Sequence, residues 1–153
     1  MKKKFLIILA LLSLTILEAK DKENVNEYTS ILVETIENIL PYTNRYFDIT
    51  NVSHMDNNIF LSVKLNQENI ENSLHKKMDR AFFKKSKKYL FKGLKEIFLE
   101  NSCFNQNINS ILNKNISLKY EINNNSQHIG TIYIDKNICK VYIQNLKEGP
   151  LNE

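Results

Sequence analysis

Apolar residues recur at intervals of three and four along residues 21–40, which is the spacing of one face of an α-helix. The members of this face are Val25, Tyr28, Ile31, Leu32, Ile36 and Ile39. Pro41 follows, and proline lacks the backbone N–H that a helix interior requires. The pattern therefore predicts a first helix that ends before Pro41.

The next segment changes to strict alternation of apolar and polar residues, which is typical of a half-buried β-strand. The apolar positions are Ile59, Leu61, Val63 and Leu65. The residues Asp-Asn-Asn at 56–58 suit a tight turn, because Asp and Asn tolerate turn conformations. We predict a β-hairpin with strands over residues 49–55 and 58–65.

Residues 66–101 have a helical pattern that changes phase. Ile70, Leu74 and Met78 form one stripe, and a later apolar set falls nearly opposite the continuation of that stripe. The later set is Phe83, Leu90, Leu94, Ile97 and Phe98. One straight helix could not bury both stripes, so we predict a break near residues 78–80, with Asp79 as the N-cap of a second helix over residues 80–101.

The pattern of the remaining residues predicts a short helix over residues 105–112, with Asn115 in a left-handed conformation after it. Two alternating strands, at residues 116–122 and 129–134, are joined by a polar turn. The second strand continues toward Cys139, and residues 141–153 add at most a short strand before the tail frays at 149–153.

The element order α-β-β-α-α-α-β-β predicts an α+β fold. The two hairpins merge into one antiparallel sheet of about four strands, with helices packed on one face. A length of 153 residues is typical of one domain, which we place at residues 20–148.

The N-terminus has the order of a secretory signal peptide: Lys2, Lys3 and Lys4, then an apolar run from Phe5 to Leu17, then Ala19. We predict cleavage after Ala19 and a periplasmic or secreted mature protein. The alternative is retention of the segment as an inner-membrane tether, although the run is shorter than the roughly 20 residues of a spanning helix.

Cys103 and Cys139 are the two cysteines of the chain. Two cysteines in an oxidising compartment are expected to pair, so export predicts a Cys103–Cys139 disulfide. A metal site would need further His, Asp or Glu ligands at short spacing, and none flank these cysteines in such a pattern. We therefore predict neither a metal site nor a cofactor.

The region from residue 99 to 139 resembles a family of small exported bacterial proteins labelled quorum-sensing-regulated virulence factor. The resemblance is carried by Cys103, Leu112, Asn115, Leu118, Tyr120, Gly130, Ile132, Ile134 and Cys139. The segment DNNIFLSVKLNQENI at 56–70 is similar to the first hairpin of that family. The resemblance implies export, an α+β fold and an association with virulence, but it supplies no catalytic residues.

The net charge bears on nucleic acid as a partner. Removal of residues 1–19 takes three lysines and one glutamate from 21 basic and 17 acidic residues, which leaves a net charge of about +2. A value so close to neutral does not predict nucleic-acid binding. The one surface feature with a functional interpretation is a basic arc on the second long helix, made of Lys84, Lys85, Lys88, Lys92 and Lys95. Such an arc can dock on an envelope protein or on an anionic membrane or lipopolysaccharide surface, although most charged helix faces are simply solvated.

Catalytic signatures are absent from the sequence, which contains no nucleophile elbow, zinc-protease motif or phosphate loop. His54, His75 and His128 lie in different predicted elements, which favours ordinary surface histidines. The carboxylates that could act as acid and base are scattered; they are Asp79, Glu96, Glu100, Glu121 and Asp135. The aromatics Phe82, Phe83, Tyr89, Phe91 and Phe98 are more typical of a core than of a ligand pocket, and Phe91 falls at the margin of the apolar arc.

The sequence thus predicts a small exported binding or accessory module of the bacterial envelope rather than an enzyme. A small hydrolase without a recognisable motif is the alternative from another class.

Overall fold

The computed structural model describes residues 25–74, 80–125 and 127–148 of the 153-residue chain. Within these ranges, the helices are α1 (Val25–Glu37), α2 (Gln67–Leu74), α3 (Arg80–Cys103), α4 (Gln106–Asn113) and α5 (Lys136–Glu148). The strands are β1 (Tyr42–Thr43), β2 (Phe47–Met55), β3 (Asn58–Leu65), β4 (Ser117–Asn124) and β5 (Gln127–Ile134). The predicted signal segment and the predicted frayed tail lie outside the described residues.

The strands form one five-stranded sheet in the order β1-β2-β3-β4-β5. The α+β class is confirmed, but the prediction of a wholly antiparallel sheet of about four strands is wrong. β3 pairs with β4 in parallel, whereas the other neighbours are antiparallel. Helices α2, α3 and α4 lie between β3 and β4 in the chain, and such a long crossover is what a parallel pair requires.

The helices cover one face of the sheet, as predicted. Along β3, the alternate residues Ile59, Leu61 and Val63 are buried, whereas Lys64 on the other face is exposed. The centre of the core is a stack of three rings: Phe98 of α3 lies 4.3 Å from the Tyr120 ring and 5.1 Å from the Phe47 ring, measured between centroids. Burial raises the pKa of Tyr120, although its hydroxyl lies 3.5 Å from that of Ser102.

The turns and helix ends follow the sequence chemistry. Asp56, between β2 and β3, has a φ of 52°, and Asn115 has a φ of 60°, so both adopt the left-handed conformation that Asp and Asn tolerate. The described part of α2 ends at Leu74 and that of α3 begins at Arg80, so the predicted break near residues 78–80 falls largely outside the described residues. The predicted N-cap Asp79 lies outside the described residues.

The prediction that the C-terminal region adds a strand is wrong, because residues 136–148 form helix α5. Asp135 begins this helix by accepting a hydrogen bond from the Ile138 N–H at 2.8 Å. Ile138, Tyr142 and Ile143 then recur at helical spacing and pack against the core. Cys139 therefore lies in a helix and not at the end of a strand.

Candidate interaction surface

The predicted basic arc lies on the exposed side of helix α3, which is amphipathic. Its buried side, which includes Phe83, Leu94 and Phe98, packs toward the sheet. The five lysines of the arc are all exposed; they are Lys84, Lys85, Lys88, Lys92 and Lys95. In the part of the chain that the structure describes, none of them forms a salt bridge. We call this set the lysine face.

Lys87 has a different role from the lysine face, although it lies in the same run. Its Nζ donates a hydrogen bond to the backbone oxygen of His128 at 3.0 Å. The contact joins α3 to the edge strand β5. Lys87 therefore occupies one backbone acceptor of this edge strand.

The Phe91 ring of α3 packs against Gly130 of β5. A Cβ atom placed on Gly130 would lie only 2.5 Å from Cε2 of the Phe91 ring, so the ring occupies the space that glycine leaves. Phe91, which the sequence placed at the margin of the apolar arc, is half-buried in this contact. Glycine within a strand often marks such a close approach. The contact fixes the position of α3, and with it the lysine face.

We expect Gly130→Ala to lower the free energy of unfolding by about 1–2 kcal/mol, because the new methyl group displaces the Phe91 ring. Urea denaturation of Gly130→Ala, Phe91→Ala and the double variant measures the coupling between the two residues. The double variant should be less destabilised than the sum of the singles. Strict additivity would show that the ring and the glycine do not interact.

A disulfide joins the end of α3 to α5, as the sequence predicts. The Sγ atoms of Cys103 and Cys139 are 2.02 Å apart, and both residues are buried. Beyond the disulfide, the Phe104 and Tyr142 rings meet edge to face at 6.3 Å. Burial, followed by the nearby carboxylates of Glu96 and Glu100, raises the pKa of Tyr142. Helix α5 thus lies beside the last turns of α3.

Exposed apolar side chains concentrate on these same elements. Seven large apolar side chains are exposed in the described ranges, and five of them belong to α3, α5 or the residue that follows α3. These five are Tyr89, Ile97, Phe104, Val141 and Leu146. Ile97 was predicted in the apolar arc, but it is 43% exposed.

The candidate acids and histidines are not brought together. Glu96 and Glu100 lie near Tyr142, whereas Asp135 caps α5 and Glu121 is exposed on β4. His54 lies 3.3 Å from the Ser30 hydroxyl, and His128 lies 3.3 Å from the Asn123 side chain. His75 and Asp79 lie outside the described ranges. Over those ranges, no three His, Cys, Asp or Glu residues are grouped so as to hold a metal ion.

Among residues 25–74, 80–125 and 127–148, no helix is both long and apolar enough to cross a bilayer.

The geometry defines a small α+β domain in which a mixed sheet carries helices on one face and a disulfide joins the last two long helices. No family model matches the chain, and no curated protein matches its sequence. Solved structures do share the fold. A protein from Pseudomonas aeruginosa described as secreted has a TM-score of 0.56 and 11% identity, over 75% of this chain and 92% of its own.

Two further structures are pilotins of type II secretion systems. EpsS from Vibrio vulnificus has a TM-score of 0.59 and 13% identity, over 75% of this chain and 91% of its own. AspS from Vibrio cholerae has a TM-score of 0.56 and 16% identity, over 78% of this chain and 96% of its own. Nearly the whole fold of each protein is therefore present here, at identities that establish likeness of fold alone.

Proposed function

We propose that this chain is an exported accessory protein of the bacterial envelope that acts by binding and not by catalysis. The observation that carries the proposal is the shared fold, which covers 91% and 96% of the two pilotins. The Cys103–Cys139 disulfide supports export, because such bonds persist in oxidising compartments. The N-terminal pattern of lysines and apolar residues supports it independently.

The lysine face is the proposed contact surface. Its side chains are exposed, and its position is fixed by Phe91 on Gly130 and by the disulfide. The partner is a component of the envelope that carries negative charge. Membership of the quorum-sensing-regulated virulence factor family stays a prediction, and so does any association with virulence.

Intact mass spectrometry of the protein recovered from its native cell envelope tests the export part of the proposal. We expect a mass that lacks residues 1–19 and two hydrogen atoms, and a gain of two alkyl groups only after reduction. A full-length but oxidised protein would favour the tethered alternative. A full-length protein with two free thiols would contradict export.

Charge reversal tests the lysine face. We expect the combined substitutions Lys84→Glu, Lys88→Glu and Lys92→Glu to reduce recovery of envelope components in cross-linked pull-downs by at least tenfold. A matched control reverses Lys64, Lys114 and Lys119, which lie outside α3 and α5 and change the net charge equally. Equal losses in both variants would show that net charge, and not this face, governs binding. Turnover of a generic ester, peptide or glycan substrate would instead favour the hydrolase alternative.

A further inference from the structure

Charge is strongly polarised in this protein. Helix α3 contains seven basic and two acidic residues, and α5 contains three basic and one acidic residue, so together they hold ten basic and three acidic residues. The rest of residues 20–153 holds eight basic and thirteen acidic residues, from the totals of 18 and 16. Although the net charge of the mature chain is small, α3 and α5 together carry a clear excess of positive charge. We call them the positive end.

The opposite end of the helical layer is acidic. Helix α1 carries Glu27, Glu34 and Glu37 and no basic residue. It packs on β2, whereas the part of α3 around Phe91 packs on β5, and β3 and β4 separate these two strands. At a strand spacing of about 4.8 Å, the two supporting strands lie roughly 14 Å apart. An anionic surface would therefore attract the α3–α5 end more strongly than the α1 end, where Lys114 contributes one positive charge 4.7 Å from the Tyr28 ring.

The positive end also presents apolar groups among its lysines. Lys85, Tyr89, Lys92 and Glu96 follow each other at helical spacings of four, three and four, so they form one row along α3. Tyr89, which is 77% exposed, stands between the two lysines. The row ends at Glu96, which contacts Tyr142 of α5, so it leads directly to the helix that carries exposed Val141 and Leu146.

This mixture fits a lipid surface better than a protein partner. Protein interfaces have contiguous apolar cores that are depleted in lysine. Membrane interfaces accept lysine, because its stem lies along the apolar boundary while the ammonium group meets the headgroups. Tyrosine is also favoured there, since it has one apolar and one polar end.

We propose that the α3–α5 surface docks on an anionic phospholipid bilayer. The lysine face contacts the headgroups, and Tyr89, Val141 and Leu146 enter the interface. This inference rests on the proposed envelope function and specifies its partner. Each lysine near an anionic membrane strengthens binding about fivefold, so neutralising three of them should weaken it on the order of 100-fold.

The test uses the processed, oxidised protein and two kinds of vesicle, one of phosphatidylcholine alone and one with about a third phosphatidylglycerol. We expect cosedimentation with the anionic vesicles only, and loss of binding at high salt. Lys85→Gln, Lys88→Gln and Lys92→Gln together should cause the 100-fold loss. The control Lys64→Gln, Lys114→Gln and Lys119→Gln, which removes the same charge elsewhere, should have a much smaller effect.

A fluorescence measurement separates insertion from simple attraction. The chain contains no tryptophan, so Tyr89→Trp introduces a single reporter. We expect a blue shift with anionic vesicles for Tyr89→Trp and none for Tyr133→Trp, whose position lies on the open face of the sheet. Binding to neither vesicle, or equal binding to both, would overturn the inference. Failure with vesicles, combined with lysine-dependent recovery of an envelope protein, would overturn the lipid partner and leave the proposed function standing.

Discussion

Replacement of both Cys103 and Cys139 by serine should lower the free energy of unfolding by about 4 kcal/mol, because the disulfide closes a loop between residues 36 apart. For a domain of this size, that change lowers Tm by on the order of 10–20 °C. The loss should be concentrated at α5. Cys139 is the one fully buried residue of this helix, and Ile138, Tyr142 and Ile143 are only half-buried.

Urea denaturation measures the stability of the double variant, and hydrogen exchange locates the loss. We expect exchange of the α5 amides to accelerate more than that of β3 and β4. Either single variant should lose a similar amount, and reduced wild-type protein provides a control without substitution. A loss below about 1 kcal/mol, with α5 still protected, would show that its apolar contacts hold it without the bond.

The elements with strong local patterns could be predicted from the sequence. β3 begins and ends as its alternation indicates, because one face of the strand packs on the core while the other meets solvent. Asp56 and Asn115 have the side chains that permit a positive φ, so their turns could be predicted as well. The disulfide pairing followed from compartment and cysteine number, which are global properties of the chain.

The predictions that were wrong concern features that depend on tertiary contacts and not on local sequence patterns. β1 has only two residues, too few for any alternation, and it exists because Tyr42 and Thr43 pair with β2. The parallel pairing of β3 with β4 depends on where the crossover helices return the chain, which local periodicity does not encode. The helical pattern of α5 was present in Ile138, Tyr142 and Leu146, but the preceding strand pattern concealed that a helix begins at Lys136, directly after Asp135.

The lysine face could be identified from helical spacing alone, because exposure on an amphipathic helix follows from its apolar side. The contribution of α5 to this surface could not be identified from the sequence, because it depends on how two helices distant in sequence pack together. Gly130 could have indicated the position against which Phe91 packs. A glycine inside a strand costs stability unless another group needs its space. Its partner ring became evident only in the folded chain.

Phe98→Ala should lower the free energy of unfolding by about 3–5 kcal/mol, a cost typical of a buried aromatic truncated to alanine. Phe98 is 1% exposed, and its ring lies between those of Phe47 and Tyr120. It therefore joins α3 to both β2 and β4. Its removal leaves a cavity under the helix and also removes two ring contacts.

Ile97→Ala is the matched control, because the adjacent residue was assigned to the same apolar arc but is 43% exposed. Its exposed side chain loses little burial on truncation, so we expect a cost below about 1 kcal/mol. Urea denaturation of the two variants at equal protein concentration measures the difference. Similar losses for both would mean that α3 is rotated about its axis relative to the structure, which would also turn the lysine face toward a different neighbour. A large loss confined to Phe98→Ala would instead support the orientation on which the docking surface depends.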